Sequence, residues 1–247
     1  MNEKLTIISL NIHAIPFAEA MTRVVNWAKL RQPSYVCFAN VHMVMEATDD
    51  AHFATQVNNA SLVLPDGKPL AMACNLLHKR KQERVAGMDF MPRILAEATT
   101  QSLSVFLYGS TEHLLAELKR NIQAQYPLAK IAGAISPPFR QMTEIELDAD
   151  IRTINDSGAQ IVMVSLGCPK QEKWMAINSN KINAVLLGLG GAFAVVAGSQ
   201  TRAPGWMQRS GLEWLYRLGQ EPRRLFKRYF STNSRFMWLI GKSLLKR

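Results

Sequence analysis

A chain of 247 residues, 48% of them hydrophobic, is long enough to bury a sizeable core in one α/β domain with an appendage. Its net charge of +10 is segregated: residues 200–247 carry +9, eleven Lys or Arg against Glu213 and Glu221, and residues 1–199 carry only +1. A basic tail on a neutral body implies an anionic partner for the tail, and a pure nucleic-acid-binding reading leaves the first 199 residues without a role.

In chain order, the start, Met1 to Leu10, runs straight into a strand-like segment. It lacks a basic start, apolar stretch and small-residue cleavage site, which predicts a protein that stays in the cytoplasm. Strand candidates follow at 5–10, 35–39, 62–64, 103–108, 130–134, 160–166 and 184–189, alternating with helix candidates near 17–31, 42–58, 68–78, 89–100, 111–125, 143–156 and 170–180. That alternation predicts an α/β fold with a mostly parallel sheet covered on both faces. After Gly198 the alternation stops, and two helical stretches, about 204–219 and 222 onward, are divided by Glu221-Pro222. The division predicts a catalytic domain over 1–199 and a helical appendage over 200–247. The tail mixes its bases with Trp206, Trp214, Tyr216, Phe226, Tyr229, Phe230, Phe236 and Trp238. Its longest apolar run, 236–241, is too short to span a bilayer, so it reads as a helix lying on an anionic membrane surface, with a docked C-terminal helix as the competing reading.

In such folds ligands collect where strand C-termini meet helix N-termini. Asn40 ends the second strand candidate and can bond a base or ribose, or cap the following helix; His42 behind it reads as a packed helix residue. Asp66, in Pro65-Asp66-Gly67, is delivered by an apolar strand to a turn that Gly67 permits, which suits a general base; as a turn residue or helix cap it is equally well placed. Arg84 and Asp89 flank the loop Val85-Ala86-Gly87-Met88, as an ion pair or as substrate contacts. Gly109-Ser110-Thr111 and Gly188-Leu189-Gly190-Gly191 follow strands, where backbone amides can hold phosphate and where glycine can equally be steric. In Gly167-Cys168-Pro169-Lys170-Gln171-Glu172, Pro169 suits the first helical turn, and Gln171 and Glu172 fall in its positive end. Asp148-Ala149-Asp150 lies in a helix-period acidic run and reads as a solvated face rather than a metal motif; no metal is predicted. Cys37, Cys74 and Cys168 are odd in number, widely spaced and apolar in context, which suits reduced core thiols.

The order of these motifs resembles one family. Phe38-Ala39-Asn40, Pro65-Asp66-Gly67, Arg84-Val85-Ala86-Gly87-Met88-Asp89, Phe106-Leu107-Tyr108-Gly109, the Pro169-Lys170-Gln171-Glu172 run, Arg202-Ala203-Pro204 and Gly211-Leu212-Glu213-Trp214-Leu215-Tyr216-Arg217 together are similar to the WecG/TagA/CpsF glycosyltransferases over nearly the whole chain. The resemblance implies a Rossmann-like core and inverting, metal-independent transfer of N-acetylmannosamine, its uronic acid or a related hexose. It implies a UDP-sugar donor, no cofactor, and a polyprenyl-diphosphate-linked acceptor in cell-surface polysaccharide biosynthesis. Asp66 then corresponds to the proposed base, and Asn40 and Gln171 to pocket contacts. Tail arginines complete the site, with Arg84 and one of Arg217, Arg223, Arg224 or Arg228 as the candidate cations for the leaving diphosphate. Substrate contacts are accordingly expected at Asn40, Gly67, Gly109, Gly167, Pro169, Lys170, Gln171, Glu172, Gly190 and Gly191. Where some members carry Thr, this chain has Phe38, which points to a different sugar. The implied location is peripheral, on the inner face of the cytoplasmic membrane, with no nucleic-acid partner; association with a second copy stays open. A dinucleotide oxidoreductase shares the βα alternation, but Asn11-Ile12-His13 follows the first strand where its glycine fingerprint belongs.

Overall fold

The computed structural model describes residues 4–220 and 222–245, and the side chains at 209, 217, 223–225 and 227–229 lie outside that description. The expectations placed on Arg217, Arg223, Arg224 and Arg228 therefore fall outside the described side chains.

The first apolar run is a hairpin rather than one strand. Ile8 adopts φ 58, the chain reverses at Ile8-Ser9, and β1 (Lys4–Ile7) pairs antiparallel with β2 (Leu10–His13). A β-branched residue at positive φ is a conformation the sequence does not advertise, since reversals of this length favour Gly or Asn. The hairpin docks through His13, whose Nδ1 accepts from Val63 N at 2.9 Å; burial, with Lys4 and Arg23 nearby, pushes that imidazole down to about 4 and keeps it neutral.

The chain continues through α1 (Phe17–Lys29), β3 (Ser34–Ala39), α2 (Val41–Asp49), α3 (Ala51–Asn58), β4 (Leu62–Pro65), α4 (Lys68–His78), α5 (Gly87–Thr100), β5 (Ser104–Gly109), α6 (Glu112–Gln125) and β6 (Lys130–Ile135). Then come α7 (Glu144–Asp156), β7 (Ile161–Ser165), α8 (Lys170–Asn178), β8 (Val185–Gly188), α9 (Ala192–Val196), α10 (Gly205–Ser210), α11 (Glu213–Gln220) and α12 (Pro222–Leu245). Two expected helices are broken in two. Asp50 ends α2 and caps α3, its Oδ1 accepting from Phe53 N at 2.9 Å, and Gly211 at φ 78 ends α10.

Six parallel strands in the order β4-β3-β8-β7-β5-β6 bear out the α/β expectation. Central strands such as Ile161–Ser165 are apolar at nearly every position because both faces are covered. Cys37, Val63 and Leu186 face a core shared with the hairpin, α2, α3, α4, α7 and α8, while Val36, Leu62 and Leu187 face a second core under α1, α5, α6 and α9. The crossings set the crevices. After β3 the chain leaves to the first face and after β8 to the second; after β5 it leaves to the second and after β7 to the first. In such sheets ligands collect where neighbouring strands leave to opposite faces, as they do at β3/β8, β8/β7, β7/β5 and β5/β6.

The last helix meets the first core. Phe236 (2% exposed) and Ile240 are buried in it, and Arg235 pairs with Asp49 of α2 at 2.6 Å. Phe226, Phe230 (71% exposed), Met237, Trp238 and Leu244 stay exposed. No helix among the described residues is long and apolar enough to cross a membrane.

Candidate active site

The C-terminal rim of the sheet brings together several of the residues singled out in the sequence. Asn40 follows β3 and Asp66 follows β4, and these strands are neighbours with Ala39 opposite Pro65. Asp66 N donates to Ala39 O at 2.7 Å, so the carboxylate stands one residue away from Asn40 across the strand pair. Asn40 caps α2, its Oδ1 accepting from Met43 N at 3.1 Å. The cap uses the oxygen and leaves the amide nitrogen, a donor, for the rim. Asp66 stays one residue outside α4, whose N-cap is Gly67 at φ 97, a conformation only glycine adopts easily.

Arg84 lies beside this pair because Val85 N donates to Pro65 O at 2.9 Å. Its guanidinium is held by two carboxylates, Asp89 at 2.6 Å and Glu213 at 2.7 Å, and Arg202 binds Asp89 at 2.6 Å from the other side. This square of two cations and two anions ties the 84–89 loop to α11. Sequence reading reached the Arg84–Asp89 pair and had Arg202 and Glu213 only as members of family motifs, because their pairing here joins residues more than 100 positions apart. Next to it, Lys68, Met72, Asn75, Gln82 and Gln208 line a groove of about 350 Å³ between α4 and α10.

Across the β3/β8 crevice, Gln171 and Glu172 open α8. Gln171 Nε2 donates to Glu172 Oε1 at 2.6 Å and to Gly188 O at 3.2 Å. Glu172 is 0% exposed, and burial pushes its carboxyl up to about 7 against the opposing hydrogen bond from Gln171. A Cβ at Gly188 would lie 2.7 Å from Met175 Cε and 3.2 Å from Gln171 Nε2, so a side chain there would have to push both aside. In the turn that follows, Leu189 N and Gly190 N both donate to Val164 O, Gly191 is exposed, and Ser165 Oγ donates to Gly190 O.

At β7/β5, Gly109 is needed for close approach: an added Cβ would sit 2.3 Å from Ser165 O. Ser110 N donates to that same oxygen and Thr111 caps α6, so of the two readings of this turn the steric one has the contacts. Gly167 (φ 79) and Lys170 are exposed, and the Cys168-Pro169 bond is cis, with Pro169 the N-cap of α8. Asp148 faces solvent, whereas Asp150, two residues on and so on another side of α7, accepts from Tyr108 Oη at 2.9 Å. All three cysteines are thiols, with Cys37 and Cys74 buried.

A cluster of one carboxylate, one amide donor and one oriented glutamine at parallel-strand ends is suited to proton removal beside a bound polar ligand. The profile of the glycosyl transferase WecG/TagA/CpsF family matches residues 5–247. An N-acetylglucosaminyldiphosphoundecaprenol N-acetyl-beta-D-mannosaminyltransferase of Bacillus subtilis is 30% identical over 227 residues, covering 89% of this chain and 86% of its own. Proteins of the same description from Bacillus spizizenii and Staphylococcus aureus are 33% and 26% identical, over 77% and 86% of this chain and 73% and 81% of theirs. With a family profile spanning the fold, the rim and the C-terminal helices alike, the chain belongs to the WecG/TagA/CpsF family and is a glycosyltransferase.

Proposed function

We propose that the enzyme moves an N-acetylmannosaminyl or closely related hexosyl group from a UDP-sugar to a polyprenyl-diphosphate-linked saccharide, with inversion and without a metal ion. The observation that carries the reading is the placement of Asp66 beside Asn40 at the ends of adjacent strands, in a chain whose relatives are named as N-acetylmannosaminyltransferases acting on N-acetylglucosaminyldiphosphoundecaprenol. Asp66 takes the proton of an acceptor hydroxyl, and the oxygen attacks the anomeric carbon on the face opposite UDP through an oxocarbenium-like transition state. Single displacement inverts the centre. The charge growing on the diphosphate calls for preorganised donors and cations. Arg84 is already matched by Asp89 and Glu213, so its part is to hold the wall of the site, and the cation role passes to the set Arg217, Arg223, Arg224 and Arg228.

The acceptor lipid places the enzyme at a membrane surface. Phe226, Phe230, Met237 and Leu244 form one exposed stripe along α12, with Trp206, Trp214 and Leu215 exposed on the two preceding helices. Apolar side chains so arranged on a basic tail fit an interfacial helix on an anionic lipid surface.

The experiment is a UDP-release assay with UDP-N-acetylmannosamine and UDP-N-acetylglucosamine against an N-acetylglucosaminyl-diphosphate lipid, with and without EDTA. Transfer from the mannosamine donor that survives EDTA, with the product anomer inverted, is the expected result. Dependence on added manganese, or retained configuration, would overturn the corresponding part.

A further inference from the structure

Gln171 and Glu172 are both buried, at 5% and 0% exposure. Both amide hydrogens of Gln171 are taken, one by Glu172 Oε1 and one by the Gly188 carbonyl. The reversed amide would set Oε1 against that carbonyl, which can only accept, so the orientation is forced by the neighbours. Oε1 then lies over the glycine turn after β8, 3.3 Å from where a Cβ of Gly190 would stand, and it has no hydrogen-bond partner. A buried carbonyl without a donor is uncommon and costly, and a ligand donor is one way such a site is completed. Glycine at 188 and 190 keeps the space over this amide open, since side chains at either position would crowd Gln171.

We propose that Glu172 is a positioning residue of the site. With Gly188 O it takes both N–H groups of Gln171, so that Gln171 meets the substrate only as an acceptor, through Oε1. Such a group selects a sugar hydroxyl or an N-acetyl N–H and repels a phosphate oxygen, which has no hydrogen to offer. Glu172 has no exposed surface of its own and acts through Gln171. The second carboxyl oxygen, Oε2, has no hydrogen-bond partner, and the Cys168 thiol lies alongside. This inference rests on the glycosyl-transfer reading for the identity of the substrate.

The test is a cycle between enzyme and substrate. Donor and acceptor analogues that each lack one hydroxyl or the N-acetyl N–H are assayed with wild type, Gln171→Ala, Glu172→Leu and Glu172→Gln, and Kd for UDP is measured in parallel. On one analogue wild type should lose about 30-fold in kcat/KM, whereas Gln171→Ala and Glu172→Leu, already impaired on the parent sugar, should lose little more. Glu172→Gln keeps a carbonyl acceptor and should recover to within about fivefold of wild type. UDP should bind every variant alike. A folded Glu172→Leu with wild-type kcat/KM overturns the proposal. So does an analogue penalty that is unchanged in Gln171→Ala, a Glu172→Gln variant as impaired as Glu172→Leu, or a parallel loss of UDP affinity. If Glu172→Leu does not fold, Glu172→Asp withdraws the oxygen by one methylene; the same blunted discrimination supports the proposal, and wild-type discrimination refutes it. A wild-type protein that binds UDP-sugar but transfers nothing to the lipid acceptor removes the transfer reading alone, because the same panel read as Kd still tests Gln171 and Glu172.

Discussion

Asp66 reaches the rim on a four-residue strand buried at every position, and the Gly67 turn stops the helix from enclosing it. As the base, its carboxylate acts on the proton in flight and leaves the nucleotide untouched. Asp66→Asn should therefore lower kcat by about 100-fold or more with little change in Kd for UDP, measured by single-turnover transfer and calorimetry. Near wild-type transfer by the folded variant removes Asp66 from that role. Glu172 makes a separate prediction about stability. Its folded pKa, about 7, lies above the ordinary 4.5, so the folded state binds a proton that the unfolded state has lost between those values, and stability falls as pH rises across that window. Cys37 and Cys168, which face the same carboxyl, are pushed up by burial and stay neutral there. His13, held down to about 4, makes stability rise with pH over part of the same range, so the Glu172 contribution is read as a difference: between pH 5 and pH 8 the urea midpoint of wild type should fall relative to that of Glu172→Gln by the equivalent of roughly 2–3 kcal/mol. Equal slopes in both proteins count against the raised pKa.

The elements of the tail have two faces with different partners. Phe236 and Ile240 belong to the core, whereas Phe226 and Phe230, stacked at 6.3 Å, project outward. Deleting the whole helix would expose that core and confuse anchoring with folding. Substitution separates the two. Phe236→Ala should cost about 3–5 kcal/mol in thermal or chemical denaturation. Phe226→Ser/Phe230→Ser should leave the melting temperature nearly unchanged and weaken binding to anionic vesicles about tenfold or more, as read by sedimentation. Vesicle binding that survives the double substitution and high salt would show that this stripe and the basic tail are not the membrane-binding surface, and a wild type that does not bind anionic vesicles would defeat the membrane reading. Short elements also explain where sequence reading of the fold fell short. The turn at Ile8-Ser9 carries neither Gly nor Asn, and the five-residue α9 is too brief to show helical periodicity.

At the scale of the whole molecule, the square of Arg84, Asp89, Arg202 and Glu213 joins the α/β body to the C-terminal helices at the edge of the rim. Arg84 and Glu213 have side chains only 17% and 18% exposed, so removing one partner strands a poorly solvated charge. Arg84→Ala and Glu213→Ala should each be destabilising, and the double variant should be less so than their sum, with a coupling of about 1–3 kcal/mol in denaturation. Additive losses would show that the two do not act as a unit.

What the sequence determined by itself were the features with a period or an order. Apolar runs separated by amphipathic stretches gave the parallel sheet, strand-end residues gave Asn40, Asp66 and the Gln171-Glu172 pair, and motif order gave the family. Such features are local, or cumulative along the chain, and need no knowledge of what packs against what. The tertiary structure alone decided which groups are already engaged: Arg84 by two carboxylates, Gln171 by Glu172 and Gly188, Ser110 N by Ser165, and Phe236 by the core. Whether a charged or polar group faces a ligand or a neighbour depends on contacts between distant segments and on the burial that sets their strength. A single sequence read in order carries no term for either.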